Sequence, residues 1–211
     1  YYADRVYQIN LAIAGIAVGT VSLPVLSKAF KMKNVKKISN IQNKSFELSL
    51  LFSIPASFGL ILASEEIVNA LFGYGSFSIK DVEMTAVALK FFGYGVPAFA
   101  LIKILSNFFF ARDNTKTPFY ISTFIVFLNI LISISLFNKI GFIIIPIATS
   151  ISTWAGVFIY IYLLSSKKIL LLKNLSMTNF IKILISTIIM STILLFLLDK
   201  FTNYLVYSYI Y

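Results

Sequence analysis

The chain contains no cysteine and no histidine, and it carries few charged residues for its length. Without cysteine it has no disulfide, no thiolate metal site and no cysteine nucleophile. Without histidine it also lacks the commonest metal ligand and general base. The eight acidic residues are scattered, so no carboxylate pair is spaced for acid/base catalysis and no cluster offers a metal site. We therefore expect a protein that is not an enzyme and that has no catalytic residue, metal or cofactor.

Apolar side chains, by contrast, are abundant. Of the 211 residues 59% are hydrophobic and only 12% are charged, and the mean hydropathy is +0.89. Soluble domains have about 45–50% apolar and about 25% charged residues. The composition predicts an all-α polytopic membrane protein and excludes a soluble enzyme, a nucleic-acid-binding domain and a disordered chain. The net charge of +10 resides mostly in loops between apolar runs, where it indicates membrane topology and no nucleic-acid partner.

Apolar runs of the required length occur six times. A spanning helix needs about 20 apolar residues, and the predicted spans are Val6–Ala29, Phe46–Ala63, Thr85–Phe110, Phe119–Phe137, Ile140–Leu164 and Phe180–Leu198. Five of them fall in residues 1–164, and residues 165–211 comprise a loop, one further span and a short tail. Two short amphipathic pieces, Val35–Ile41 and Glu65–Phe72, are expected in the loops.

The basic residues predict the orientation. The loops Lys28–Lys44, Arg112–Lys116 and Lys167–Lys182 hold twelve Lys and Arg residues, and the alternate loops hold three. Lys- and Arg-rich loops face the cytoplasm. Tyr1 and the C-terminal tail are then external.

Three basic residues, Arg5, Lys90 and Lys103, lie inside predicted spans or at the mouth of one, where charges are costly and indicate function. Lys103 lies about eight residues from the cytoplasmic end of its span, roughly 12 Å deep, which favours a cavity-facing role over snorkelling. Lys90 lies nearer the opposite end, where its stem can snorkel to the interface. Arg5, at the external mouth of the first span beside Asp4, is either an anion-binding guanidinium or a locally paired or snorkelling one.

Glycines and prolines interrupt the spans. Gly93, Gly95 and Pro97 fall close together in the third span, and Pro24 lies in the first. Proline frees a backbone carbonyl in a spanning helix, and broken helices are typical of transporters, so we expect a break or gating point at these residues. The simpler alternative is that membrane helices are rich in proline. Gly15 and Gly19 have the spacing that permits close helix packing.

Three segments, in this order along the chain, carry a resemblance to a known family. They are Ala3–Gln8 with Gly15–Lys28, then Ala70–Ser78, then Phe110–Pro118. Together they resemble the MurJ (MviN) lipid II flippase family of the multidrug/oligosaccharidyl-lipid/polysaccharide exporter superfamily. After Pro118 only hydropathy and spacing agree with the family.

The resemblance implies a fold of fourteen helices in two lobes, of which this chain supplies about the eighth to the thirteenth, in the C-terminal lobe. It implies that undecaprenyl-diphosphate-linked muropeptide (lipid II) is moved from the inner to the outer leaflet of the bacterial cytoplasmic membrane by alternating access. The implied partners are lipid II, membrane lipids and an N-terminal lobe. Arg5 and Lys103 match basic cavity positions that hold the diphosphate, and Lys90 is a further candidate.

Three other interpretations remain open at this stage. One is an exporter of another lipid-linked oligosaccharide from the same superfamily. Another is a polytopic membrane enzyme acting on lipid-linked sugars, although a carboxylate or histidine cluster at one membrane face would then be expected. The third is an inactive, truncated remnant that acts only in assembly.

Overall fold

The computed structural model describes residues 1–167, 169 and 177–210, including the side chains of residues 178–200 in the last stretch. The elements are α1 (Tyr2–Leu11), a π-helical turn (Ala12–Ala17), α2 (Val18–Lys31), α3 (Val35–Leu62), α4 (Ser64–Phe72), α5 (Ile79–Phe110), α6 (Lys116–Ile140), a 3₁₀ turn (Gly141–Ile143), α7 (Ile144–Ser166) and α8 (Met177–Ile210). The first three follow one another without a loop and form one rod, Tyr2–Lys31.

The helices are long and apolar enough to make a multi-pass membrane protein. Five segments of the described chain meet the length and hydropathy required of a membrane span. One of them, Lys116–Ser166, has 51 residues and contains both α6 and α7, which fold back on each other at Gly141. Gly141 has φ 72° and ψ −154°, a backbone conformation that suits glycine. The all-α fold with six spanning helices is therefore confirmed.

Local capping explains where two of the long helices begin. The Asn34 side chain accepts a hydrogen bond from the Lys37 amide (2.9 Å) and so starts α3. Ser78 and Asp81 form a reciprocal capping box that starts α5. Each cap satisfies backbone amides that have no partner inside the helix.

The central helix of the bundle is α5. It packs against the first rod, α3, α4 and α7, while α6 packs on α7 and α8 packs on α3. Its side chains Ile104, Leu105, Phe108 and Phe109 are fully buried in the main apolar core. A second apolar cluster, around Leu89, joins α1, α4 and α5 towards the other end of α5. By contrast, only Pro118 and Ile121 of α6 are buried, so most side chains of α6 are at least partly exposed.

Several sequence-based expectations need correction. Val35–Ile41 is not a separate amphipathic piece but the start of α3, because no breaker separates it from the apolar stretch. The other predicted piece is confirmed as α4. The helix also runs on through Pro24, and the irregularity of the first rod lies instead in the π-helical turn.

The last helix is longer than the predicted span. The backbone of α8 stays helical to Ile210, past the predicted end at Leu198, so the short tail expected there has a helical backbone. The predicted loop between the last two spans falls largely on residues 168 and 170–176, outside the described residues.

Candidate functional site

A cleft of about 390 Å³ opens among the first rod, α5, α6 and α7. Its floor and walls are partly apolar, and six polar side chains line it: Thr20, Lys103, Ser106, Asn107, Ser122 and Tyr160. Thr20 belongs to the rod, the next three to α5, and the last two to α6 and α7. The first rod therefore meets three helices from later in the chain around the Lys103 side chain.

Two glycines bring the rod close enough to α5 to form the cleft. A methyl group on Gly15 would lie 3.2 Å from the Cα of Ala100, and one on Gly19 would lie 3.1 Å from Nδ2 of Asn107. Asn107 Nδ2 donates a hydrogen bond to the Gly19 carbonyl at 2.8 Å. The predicted close packing at this glycine pair is therefore confirmed, and an amide–carbonyl hydrogen bond reinforces it.

Among the described residues that line the cleft, Lys103 alone is basic. It lies seven residues before the end of α5, about 10 Å along the helix axis. Its stem passes the rod, since Cγ would be 3.4 Å from a methyl group on Gly15. The side chain is exposed, and no described residue forms an ion pair with it. Its charge is therefore available to an anion.

Arg5 lies elsewhere, near the start of α1. Its guanidinium stands 5.1 Å from the ring centroid of Tyr1. Asp4 instead accepts a hydrogen bond from Gln8 Nε2 at 2.7 Å. Arg5 is exposed and does not line the cleft. Its local partner is thus an aromatic ring and not the neighbouring carboxylate.

Lys90 is also separate from the cleft. It is exposed on α5, thirteen residues before Lys103. Thirteen steps of about 100° place the two side chains about 140° apart on a continuous helix. Because α5 is continuous from Ile79 to Phe110, no change of direction brings them to one side. The structure therefore places Lys103 in the cleft and leaves Lys90 outside it.

The expected break in α5 is not present, and the reason is a contact from another helix. Pro97 has no N–H, so the carbonyl of Gly93, four residues earlier, loses its helical donor. Ser57 Oγ on α3 donates to that carbonyl at 2.7 Å. The replacement hydrogen bond keeps the carbonyl satisfied without opening the helix.

The neighbouring carbonyls of α5 are bonded from α7. Ser150 Oγ donates to the Phe91 carbonyl at 2.8 Å, and Trp154 Nε1 donates to the Tyr94 carbonyl at 3.0 Å. Gly95 allows this approach, because a methyl group there would lie 2.6 Å from Ser150 Oγ. Gly93 and Gly95 thus serve close contact with α3 and α7.

Asn107 was missed by the sequence analysis. It lies one helical turn after Lys103, and this spacing puts both side chains on one face of α5. The sequence feature that indicates Asn107 is its position four residues after Lys103, an intramembrane lysine. Its partner on the rod, 88 residues away in sequence, could not be read from the sequence.

Comparison with known proteins agrees with this architecture. The model of the family described as "Lipid II flippase MurJ" matches residues 1–211. A probable lipid II flippase MurJ from Rickettsia prowazekii (strain Madrid E) is 34% identical over 210 residues, which are 99% of this chain and 41% of the relative. A probable lipid II flippase MurJ from Rhizobium tropici is 39% identical over 153 residues, covering 72% of this chain and 29% of the relative.

A solved structure is also similar, that of "Lipid II flippase MurJ, inward closed conformation". It superposes with a TM-score of 0.76 at 32% identity and covers 91% of this chain and 39% of that one. The chain thus spans about two fifths of the length of the Rickettsia relative and of the solved structure. Because the family model matches every residue, the chain belongs to the lipid II flippase MurJ family.

Proposed function

We propose that this chain is the C-terminal lobe of a lipid II flippase and that it helps to move lipid II from the inner to the outer leaflet. The observation that carries the proposal is the family match along the whole chain. Since the chain spans 41% of the Rickettsia relative, the remaining helices of the cavity would come from an N-terminal lobe. The membrane is the bacterial cytoplasmic membrane.

Lys103 suits the proposed substrate by its charge and position. A diphosphate drawn into the membrane loses its hydration, and a cation at hydrogen-bond distance offsets that cost. The side chain is exposed on the cleft and has no acidic partner among the described residues. Arg5 would supply a second cation nearer the outer end of the rod, and Lys90 a third on another side of α5.

Alternating access requires that one part of the lobe moves against another. The region of Gly93, Gly95 and Pro97 is our candidate for bending in α5, because the backbone hydrogen bond lost at Pro97 is replaced by a side chain. Breaking the Ser57 contact would free that point. Pro24 is the corresponding candidate in the rod.

The orientation is part of the same proposal. The loop Lys28–Lys44 holds six of the eighteen Lys and Arg residues and would face the cytoplasm. Tyr1 and the tail after Leu198 would then be external, with the acidic pair Glu65 and Glu66 of α4.

A depletion-rescue experiment tests the proposal. The chain is expressed in cells depleted of their own lipid II flippase, alone and together with the N-terminal part of the Rickettsia relative, and surface-exposed lipid II is measured. We expect rescue only when both parts are present. Membrane insertion without rescue in either arm would contradict the proposal and favour an inactive remnant.

Variants in the rescuing arm test the site. Lys103→Ala should lower the rate of lipid II exposure by about tenfold or more, because hydrogen bonds to charged groups contribute about 1.5–3 kcal/mol. Lys103→Arg should retain much of it. Lys139→Ala, at the far end of α6, is the matched control and should behave like the parent chain. Equal rates for Lys103→Ala and Lys139→Ala would remove Lys103 from the proposed site.

A further inference from the structure

The turn that joins the first rod to α3, together with the helix ends on either side of it, concentrates positive charge. Five lysines occur within ten residues: Lys28, Lys31, Lys33, Lys36 and Lys37. All five are exposed. None forms an ion pair with a described residue. Uncompensated charges of one sign at this density indicate a surface for an anionic partner.

The turn is held in shape by its own backbone. The Asn34 amide donates to the Ala29 carbonyl (3.2 Å), and the Lys33 amide donates to the Phe30 carbonyl (2.9 Å). Lys33 adopts a left-handed conformation, with φ 51°. The Asn34 side chain then caps α3. Because the turn is built this way, the lysines project from a fixed frame.

Two exposed apolar side chains lie among the lysines. Met32 is 61% exposed and Val35 is 62% exposed. Alternating cations and apolar side chains suit the boundary between lipid headgroups and acyl chains. An acidic protein surface would leave Met32 and Val35 without an apolar partner, so the observations favour a lipid surface.

The level of the turn relative to the membrane spans supports the same partner. The Arg112 guanidinium, in the loop between α5 and α6, lies 4.4 Å from the ring centroid of Phe30. The two loops therefore lie at the same end of the bundle and at a similar height along it. From Phe30 to Lys33 the chain advances three residues, about 5 Å, which is comparable to the depth of a headgroup layer.

The nearby acidic groups do not neutralise the turn. Asp113 adjoins Arg112 in the neighbouring loop. Glu47 lies ten residues after Lys37 on α3, about three helical turns further along that helix. Neither forms an ion pair with a described residue. Lys44 and Lys116 add positive charge to the same end of the bundle.

We propose that the turn Lys28–Lys37 is a docking surface for the headgroups of anionic membrane phospholipids, with Met32 and Val35 lying at the acyl-chain boundary. The surface lies outside the cleft and does not depend on lipid II transport. It would hold the rod and α3 at a fixed depth while other helices of the bundle move.

The proposal is tested on the full chain by placing a tryptophan in the turn and measuring how far brominated lipids quench its fluorescence. Val35→Trp is reconstituted in phosphatidylcholine vesicles that contain brominated phosphatidylglycerol or, separately, brominated phosphatidylcholine at equal mole fraction. The parent chain has a single tryptophan, Trp154, whose signal is measured alone and subtracted. We expect phosphatidylglycerol to be preferred at the turn by about fivefold or more, as one lysine near an anionic surface contributes about that factor.

Charge removal and salt provide the controls. The ratio of quenching by brominated phosphatidylglycerol to quenching by brominated phosphatidylcholine should fall towards one in the variant K28Q/K31Q/K36Q/K37Q. This variant leaves Lys33 in place because of its positive φ. The preference should be retained in K80Q/K139Q, because Lys80 lies at the start of α5 and Lys139 near the end of α6, both at the opposite end of the bundle. High salt should weaken the preference in the parent Val35→Trp chain even if the quadruple variant does not fold.

Three outcomes would overturn the proposal. The first is equal quenching by the two lipids, and the second is a preference that survives in the folded quadruple variant. Absence of quenching by either lipid would also overturn it, because the turn would then stand clear of the membrane and would suit an acidic protein.

Discussion

The contact between Gly95 on α5 and Ser150 on α7 allows a sharp stability prediction. In Gly95→Ala the new methyl group would lie 2.6 Å from Ser150 Oγ, 2.8 Å from Phe99 Cε2 and 3.3 Å from Ser150 Cα. Comfortable separations for such atoms are about 3.5–4.0 Å. The hydroxyl cannot simply turn away, because it donates to the Phe91 carbonyl at 2.8 Å.

The expected cost follows from these distances. Overpacking of this kind costs about 1–3 kcal/mol, and loss of the Ser150 hydrogen bond would add about 1 kcal/mol. Replacing glycine by alanine in a helix returns about 1 kcal/mol. We therefore expect Gly95→Ala to lower the free energy of unfolding by about 1–3 kcal/mol.

Gly59 on α3 is the matched control. A methyl group there meets nothing within 4 Å. Gly59→Ala should therefore keep the helix-propensity gain and leave stability equal or slightly higher. Both variants are unfolded by titrating SDS into mixed micelles, with the helical circular dichroism and Trp154 fluorescence as readouts. Trp154 is well placed, since it bonds the adjacent Tyr94 carbonyl.

One result would refute this reasoning. If Gly95→Ala unfolds at the same SDS fraction as Gly59→Ala, the α5–α7 contact is looser than the structure shows. Glycine at position 95 would then serve backbone flexibility, and not close approach.

Two further predictions concern the backbone. Ser57→Ala should cost about 1 kcal/mol, because it removes the donor to the Gly93 carbonyl that Pro97 leaves unpaired. Ser49→Ala is the control, since Ser49 Oγ is buried without a hydrogen-bond partner among the described residues. In SDS unfolding this control should be neutral or stabilising. Equal losses of stability in both variants would contradict a stabilising hydrogen bond from Ser57 to the Gly93 carbonyl. Gly141→Ala should cost about 1–3 kcal/mol, because φ 72° with ψ −154° is a backbone conformation that essentially only glycine adopts. Protease sensitivity of the α6–α7 turn measures that change, and an unaltered cleavage rate would count against it.

The sequence by itself determined the class of the protein and the places where it crosses the membrane. Both depend on properties of contiguous segments: about 20 apolar residues are needed to span the hydrocarbon wherever the neighbouring helices lie. The side-chain caps at Asn34 and Ser78 are also local, because each hydrogen bond joins residues only three positions apart in the sequence.

The residues of the cleft could be predicted only in part from the sequence. Lys103 was predicted from its depth in a single span, and the structure places it in a cleft. Asn107 escaped notice because its importance depends on Gly19, which lies 88 residues away. Arg5 and Lys90 were candidates for the same reason as Lys103, but neither lines the cleft. Arg5 lies near the start of α1, about 15 Å along the rod from Gly15, and helix rotation directs Lys90 to another side of α5.

The tertiary structure alone decided what the prolines and glycines do. Pro97 predicts a broken helix when only its own segment is considered, since it removes a hydrogen bond. The bond is replaced by Ser57, 36 residues earlier, and the adjoining carbonyls are bonded from α7, some 60 residues later. Such contacts depend on how helices rotate and pack against one another. A single segment carries no information about its neighbours' faces, and for that reason the continuity of α5 appears only in the folded bundle.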